Sequence, residues 1–414
     1  MKTAVVWFKT DLRITDNETL MKAISQNDRV IPVYCIDEAH FKTTPFGFQK
    51  TGNFRAQFLL ESLIDLDRNL RELGSGLLVV NGKPAVELPK IVTKYKAHRV
   101  YAKREVAFEE KQTESLVQAE LWKLHCELET FSTSTLYHAE DLPFSIKDIP
   151  DVFTDFRRKT EKEAPIRNTF DKPTRIYSPE IPLLNSPTLS ALGLENVTID
   201  SRAVLQFKGG ESEAIQRLKH YFFETKAISR YKETRNGMIG ADYSSKFSAW
   251  LALGCFSPRF IYQELKKYET QFGANESTYW LVFELLWRDY FRFMMKKYNA
   301  KFFQQAGIQN KGIPVNKHNT HQLQEWIDGE TGVDFVDANM KELKLTGFMS
   351  NRGRQNVASY LCNDLKLDWR FGAAYFEQQL IDYDVCSNWG NWAYLAGVGN
   401  DPRGNRYFNI NKQS

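Results

Sequence analysis

Short β-branched runs recur through the first third of this 414-residue chain and then stop, and that interruption constrains the fold more than any other feature. Ala4–Phe8, Val30–Ile36, Gly76–Val80, Arg99–Ala102 and Leu128–Ser132 read as strands, separated by helical patterns such as Asn53–Leu73 and Glu109–Leu124. Strands alternating with helices need crossover connections, so residues 1–132 read as a parallel α/β sheet domain. From 133 to 205 the pattern dissolves, and seven of the fourteen prolines fall between Pro143 and Pro187. That suits a connector draped over a surface better than any packed element. Beyond 205 helical periodicity takes over, with seven of the nine tryptophans at or after Trp250. Residues 206–414 therefore read as an all-helical, aromatic-rich domain.

Bulk numbers exclude more than they assign. Lys+Arg 55 against Asp+Glu 51 gives a net charge of only +4, so nucleic-acid binding needs a local basic groove. The five cysteines, at 35, 126, 255, 362 and 386, show no C-x-x-C spacing, which argues against a disulfide framework and a structural zinc site. The chain opens directly into a strand-like run, and no apolar stretch reaches membrane-spanning length. The expectation is a cytoplasmic protein without membrane association. Neither a G-x-x-x-x-G-K-[ST] loop nor a G-x-G-x-x-G after the first strand is present, which removes the usual phosphate and dinucleotide fingerprints.

Four segments carry polar groups that core logic does not explain. In Leu380–Arg406, Asp382, Asp384, Asn388 and Asn391 lie among Trp389, Trp392 and Tyr394. Burying such groups unpaired costs about 1–3 kcal/mol each, so something polar must meet them. In Tyr231–Leu251, Ser244, Ser245, Lys246 and Ser248 stand where a helix should begin; they suit either a diphosphate at a helix N-terminus or a plain Ser/Asp cap. The Tyr279–Phe293 segment is apolar nearly all round, with Glu284, Trp287 and Arg288 on one face. That face is either an internal ion pair beside a core tryptophan or the wall of a cavity for a planar polar ligand. Thr346–Tyr360 opens a helix with Asn351, Arg352 and Arg354, an arrangement the macrodipole opposes, and Asp382 is the natural partner of Arg354.

Taken in this order with Trp7-Phe-Lys-Thr-Asp-Leu-Arg-Ile-Thr-Asp-Asn17, these segments resemble the photolyase/cryptochrome flavoproteins over almost the whole chain. Met349-Ser-Asn-Arg-Gly-Arg-Gln355 and Asn388-Trp-Gly-Asn-Trp-Ala-Tyr-Leu-Ala-Gly-Val-Gly-Asn-Asp-Pro-Arg403 are similar to the DASH branch of that family. The resemblance implies the photolyase fold: an α/β antenna domain with a Rossmann-like parallel sheet, and an all-helical domain holding FAD. Carried over by motif, Tyr231, Ser244, Ser245, Lys246, Phe247 and Ser248 border the FAD phosphates, and Arg288 and Asn351 join the cofactor site. Arg354 and Asp382 pair beside the isoalloxazine, with Asp384 near its polar edge. Asn388 matches the position facing flavin N5, where an amide favours the fully reduced, anionic flavin.

The activity implied is blue-light-driven repair of cyclobutane pyrimidine dimers, preferentially in single-stranded DNA, by a monomer. Glu284 hydrogen-bonds the dimer, Trp287 stacks on it and Tyr394 lies by the pocket. Relatives acting on 6-4 lesions carry histidines where this chain has Asn351 and Gln355. Trp392 and Trp369 match the first two tryptophans of the family's photoreduction chain, while Asn316 stands at the third. A 5,10-methenyltetrahydrofolate antenna is expected to use Glu109 or Glu110. Family members usually continue past the equivalent of Ser414 to a Trp-Leu-Pro-Glu-Leu segment. The alternative reading is a blue-light photoreceptor with little repair activity.

Overall fold

The computed structural model describes residues 1–312, 319–401, 407 and 408. Five strands, β1 (Thr3–Phe8), β2 (Arg29–Ile36), β3 (Leu78–Asn81), β4 (Arg99–Lys103) and β5 (Glu127–Phe131), form one parallel sheet in the order β3-β2-β1-β4-β5. Helices Asn53–Glu72, Pro84–Tyr95 and Phe108–Trp122 supply crossovers, and the sheet's Val, Ile and aromatic side chains are buried between two layers. The remainder is mostly helical. No helix among the described residues is long and apolar enough to cross a membrane.

The connector differs from the sequence expectation. It contains a packed helix, Phe153–Glu163, whose Phe153, Phe156 and Thr160 are buried. Phe153 and Phe156 fall three apart on one helical face and close an aromatic cluster with Tyr290 and Phe293 of the long helix Glu276–Tyr298. The surrounding prolines mask this short amphipathic stretch.

The order of β1 and β4 reverses the winding of the sheet, and the strand ends at that switch point are where α/β sheets place ligands. Here protein fills the crevice. Glu105, just after β4, takes Arg292 Nη2 at 2.8 Å and Lys103 Nζ at 3.0 Å, all three buried. Asp16, fully buried, accepts from Arg259 Nη2 (2.7 Å), Ser257 Oγ (2.5 Å) and the Phe170 amide (2.9 Å). Arg13 donates to Gly254 O at 3.0 Å, and Glu211 receives the Ile14 and Thr15 amides at 2.8 and 2.9 Å. Gly254 is at φ +64°, and a Cβ there would overlap the Thr10 carbonyl. The long helix, capped by Asn275 and Thr278, threads through this junction. Its buried Asp289 receives the Leu136 and Tyr137 amides at 3.0 and 2.9 Å, fixing the connector's first turn.

Removing one partner of a buried ion pair strands the other without solvent. Asp16→Ala is expected to lower unfolding free energy by about 3–5 kcal/mol, checked by urea denaturation; a loss under about 1 kcal/mol would show the seam to be incidental.

Candidate flavin and lesion site

Asp382 and Asp384 sit at the entry to helix Val385–Leu395, and Arg354 lies on helix Asn351–Ser359, which Ser350 caps through its hydroxyl to the Gly353 amide at 2.9 Å. The chain brings them together as their charges suggest. Arg354 Nη2 donates to Asp382 Oδ2 at 2.9 Å while Nε holds Met349 O at 2.9 Å. Asp384 caps its helix through the Ser387 amide at 2.8 Å. Burial pushes its carboxyl up, but Arg288, Arg292 and the Ser387 hydrogen bonds outweigh that and leave it below the ordinary carboxylate value. Asn388 Nδ2 donates to Ala373 O at 3.0 Å, which fixes the amide plane.

These groups line one cavity of about 100 Å³: Asn351, Arg354, Asp382, Asp384, Asn388 and Trp392 among them. Tyr383 and Ser387 line it too, and sequence reasoning passed over both. Tyr383 was legible only as the residue between two aspartates. A wider pocket of about 370 Å³ adjoins the cavity, sharing Asn351 and Gln355 and adding Arg235, Asn236 and Arg352 with Tyr407 and Phe408.

The expected residues Glu284, Trp287, Trp369 and Tyr394 line neither of these openings. Glu284 pairs with Arg235 at 2.6 Å, not with Arg288, whose guanidinium donates to the Ser134 carbonyl and to Leu251 O at 3.2 Å. The internal Glu284–Arg288 pair is therefore not formed, because the connector's carbonyl competes for the arginine. Burial raises the Glu284 carboxyl above its ordinary value, with Arg235 opposing. Trp287 lies flat against Phe153, centroids 3.6 Å apart at 13°, and meets Tyr394 edge to face at 5.9 Å. One of its faces is thus covered by the connector helix. Trp369 is buried at the start of helix Trp369–Gln379, and Trp392 overlies Gly372 of that helix so closely that any Cβ there would collide with the indole. Asn316 lies outside the described residues.

Around the phosphate-binding expectation, the helix that starts at Ser248 is only five residues long, too short for a strong dipole. Phe247 is buried against Phe256 and Tyr221, while Tyr231 is buried and Ser248 exposed. Arg217 holds Ser244 O at 3.2 Å and Ser245 O at 3.1 Å, shaping the loop. Lys246 carries the anion-binding potential instead. Its backbone is left-handed (φ +57°), and its buried ammonium lies over the Tyr243 ring with no hydrogen-bond partner. Burial and then Arg217 push its pKa down to about 7. Lys246 Nζ and Arg354 Cζ both approach the Phe348 ring, at 5.3 and 5.4 Å, so the unpaired cation and the Arg354–Asp382 pair are neighbours. Asp382 Oδ1 is also buried without a hydrogen-bond partner. An unpaired ammonium and an unpaired carboxylate oxygen are what diphosphate oxygens and a flavin N–H would satisfy, so the residues present fit FAD. For the antenna, Glu109 is exposed and pairs with Lys50, whereas Glu110 is half-buried and pushed up to about 7 by desolvation and then Glu105.

Lys246 has a linkage consequence. Between pH about 7 and its ordinary 10.5, the unfolded lysine keeps a proton that the folded one has shed, so apoprotein stability rises with pH there. Lys246→Met is expected to flatten that rise, to stabilise the apoprotein near pH 7 by about 1–3 kcal/mol, and to weaken FAD retention. Urea denaturation at two pH values and flavin fluorescence release check all three.

Comparison with known proteins matches the same regions. Residues 4–175 match the family described as DNA photolyase, and residues 280–414 match the FAD binding domain of DNA photolyase. Cryptochrome DASH of Gloeobacter violaceus is 51% identical over 100% of this chain and 83% of its own length. That of Danio rerio is 49% identical over 100% of this chain and 80% of its own. The crystal structure of a Synechocystis cryptochrome superposes with a TM-score of 0.96 at 50% identity, covering 100% of this chain and 86% of that one. A class III photolyase from Agrobacterium tumefaciens gives a TM-score of 0.85 at 25% identity, covering 100% and 83%. The chain is a flavoprotein of the photolyase/cryptochrome family and belongs to its cryptochrome DASH branch.

Proposed function

We propose that this chain repairs cyclobutane pyrimidine dimers in single-stranded DNA under blue light, as a monomer. The observation that carries the reading is the paired opening. A basic and amide-lined pocket, bearing Arg235, Asn236, Arg352 and Gln355, adjoins a deeper cavity walled by Arg354, Asp382, Asp384 and Asn388. Bound in reduced form, FAD would supply the photoexcited electron for splitting the dimer.

The protein's part is to hold and shield. Arg354 and Asp382 fix the polar edge of the cofactor, and Lys246 neutralises its phosphates. Arg235 and Arg352 at the mouth meet the DNA backbone, whose charge the chain's small net excess cannot attract at long range. The dimer must leave the base stack, which costs least in single-stranded DNA. Glu284, half-buried at the end of the Arg235 pair, offers a carboxyl whose raised pKa suits a hydrogen bond to the dimer's polar edge. Trp287 then presents the aromatic surface that Phe153 leaves available. Histidine is absent from positions 351 and 355, which favours cyclobutane over 6-4 lesions.

With the protein reduced by dithionite and illuminated with a single-stranded oligonucleotide bearing one cyclobutane dimer, thymine absorbance should recover. Loss of a charged hydrogen bond worth about 1.5–3 kcal/mol predicts a ten- to hundredfold slower recovery, roughly, in Glu284→Ala. No light-dependent recovery from a fully reduced, FAD-loaded protein sinks the repair reading. Arg352→Gln should weaken single-stranded DNA binding at all sequences and reduce the salt slope by about 0.7, read by fluorescence anisotropy.

A further inference from the structure

Trp280 carries a hydrogen-bond donor that the free protein does not use. Its ring is half-buried on the long helix, one helical turn before Glu284, so the two share a face. Phe283 stacks on the indole at 4.8 Å and 28°, and Lys232 Nζ and Arg235 Cζ lie over the ring at 4.9 and 5.4 Å. Nε1 itself is buried with no hydrogen-bond partner. Its N–H faces the Glu284 carboxyl closely enough to favour the charged form, yet falls short of hydrogen-bond geometry; the carboxylate is turned instead to Arg235 Nη1 at 2.6 Å. Arg235 follows the short helix Tyr231–Thr234, which the Lys232 amide ties to Ser277 Oγ at 3.0 Å. The Arg235 side chain lines the wide pocket, whereas Glu284 stands beside that pocket and off its lining.

We infer that Trp280 is a positioning residue for Glu284: when a DNA phosphate draws Arg235 away, the indole N–H takes over the carboxylate and holds its free oxygen toward the dimer. The inference rests on the proposed binding of a dimer-bearing strand at this mouth. A guanidinium fork pairs with phosphate as readily as with carboxylate, through the same geometry. Arg235 shares the pocket with Arg352, so a strand entering there meets both cations before it meets Glu284. A half-buried carboxylate that loses its cation is destabilised unless another donor replaces it. Trp280 Nε1 is that donor, already desolvated and one turn away on the same helix. The unmade hydrogen bond is a cost borne by the free protein, and the exchange relieves it only once DNA is bound. The contact therefore favours the complex and not the fold alone. The Tyr231 phenol also feels the Glu284 charge and is the competing partner.

The FAD-loaded full chain, isotopically labelled at the tryptophan indole nitrogens, is followed by NMR in the dark, with Trp280→Phe assigning the resonance. Adding a single-stranded oligonucleotide that bears one cyclobutane dimer should move the Trp280 Nε1–H resonance downfield, the mark of a hydrogen bond to a carboxylate. Arg235→Gln should show the shifted resonance without DNA, since the competing cation is already gone, and Glu284→Ala should show it under neither condition. In repair after dithionite reduction, Trp280→Phe keeps a packed ring without the N–H and should lower kcat/KM about tenfold. That loss should disappear in a Glu284→Ala background, because the two residues act through one contact. A resonance unmoved both by DNA and in Arg235→Gln overturns the inference. So does a Trp280→Phe variant that repairs at the wild-type rate while Tyr231→Phe does not, or a loss that persists without Glu284 and so marks packing alone. Should the wild type fail to repair, the proposed activity falls, while the Arg235→Gln resonance still decides whether Trp280 captures Glu284.

Discussion

The seam of buried charges where the sheet meets the helices organises everything else. Asp16 with Arg259, and Glu105 with Arg292 and Lys103, occupy the switch point at which a parallel sheet would otherwise open a ligand crevice. Such pairs contribute little net free energy compared with apolar packing, but each is costly to break from one side, so they fix orientation. Arg292 belongs to the long helix, one turn from Arg288 and Asp289. The grip on Glu105 therefore sets where Glu284 and Trp287 stand. The same helix packs on Val385–Leu395, which carries Asn388 and Trp392. Sheet, connector and cavity are thereby held to one helix.

The site itself is assembled around unsatisfied atoms. Most buried polar groups in a folded chain find partners, and here Lys246 Nζ and Asp382 Oδ1 do not. Both sit near Phe348 and the Arg354 guanidinium, and a single extended anionic cofactor with an N–H at one end answers both. Beside them, Glu377, Tyr383 and Trp389 are hydrogen-bonded to one another, with Tyr383 on the cavity wall.

Much of this was legible in the chain. The five strand runs fall within a few residues of the observed strands, because buried parallel strands leave continuous β-branched stretches that no other element mimics. The Arg354–Asp382 pair was readable because a basic first helical turn needs a compensating charge. The connector helix was not, since Phe153 and Phe156 lie in a proline-rich stretch whose packing depends on residues over a hundred positions away. Of the two readings left open for the Glu284 face, the internal pair with Arg288 does not form, for a related reason. Spacing along a helix offers Arg288, but the Ser134 carbonyl claims that guanidinium and Arg235 approaches from another helix.

Sequence alone determined the two-part architecture, the family, and the residue types the cavity displays, because periodicity and motif spacing are local properties. Tertiary structure decided which of those residues meet. Trp389 reads as one more core aromatic until folding places its N–H between a phenol and a carboxylate. Lys246 reads as a helix-start cation until burial removes its solvent and leaves it without a partner. Hydrogen bonds and desolvation depend on distances that close only in three dimensions, and no pattern along the chain encodes them.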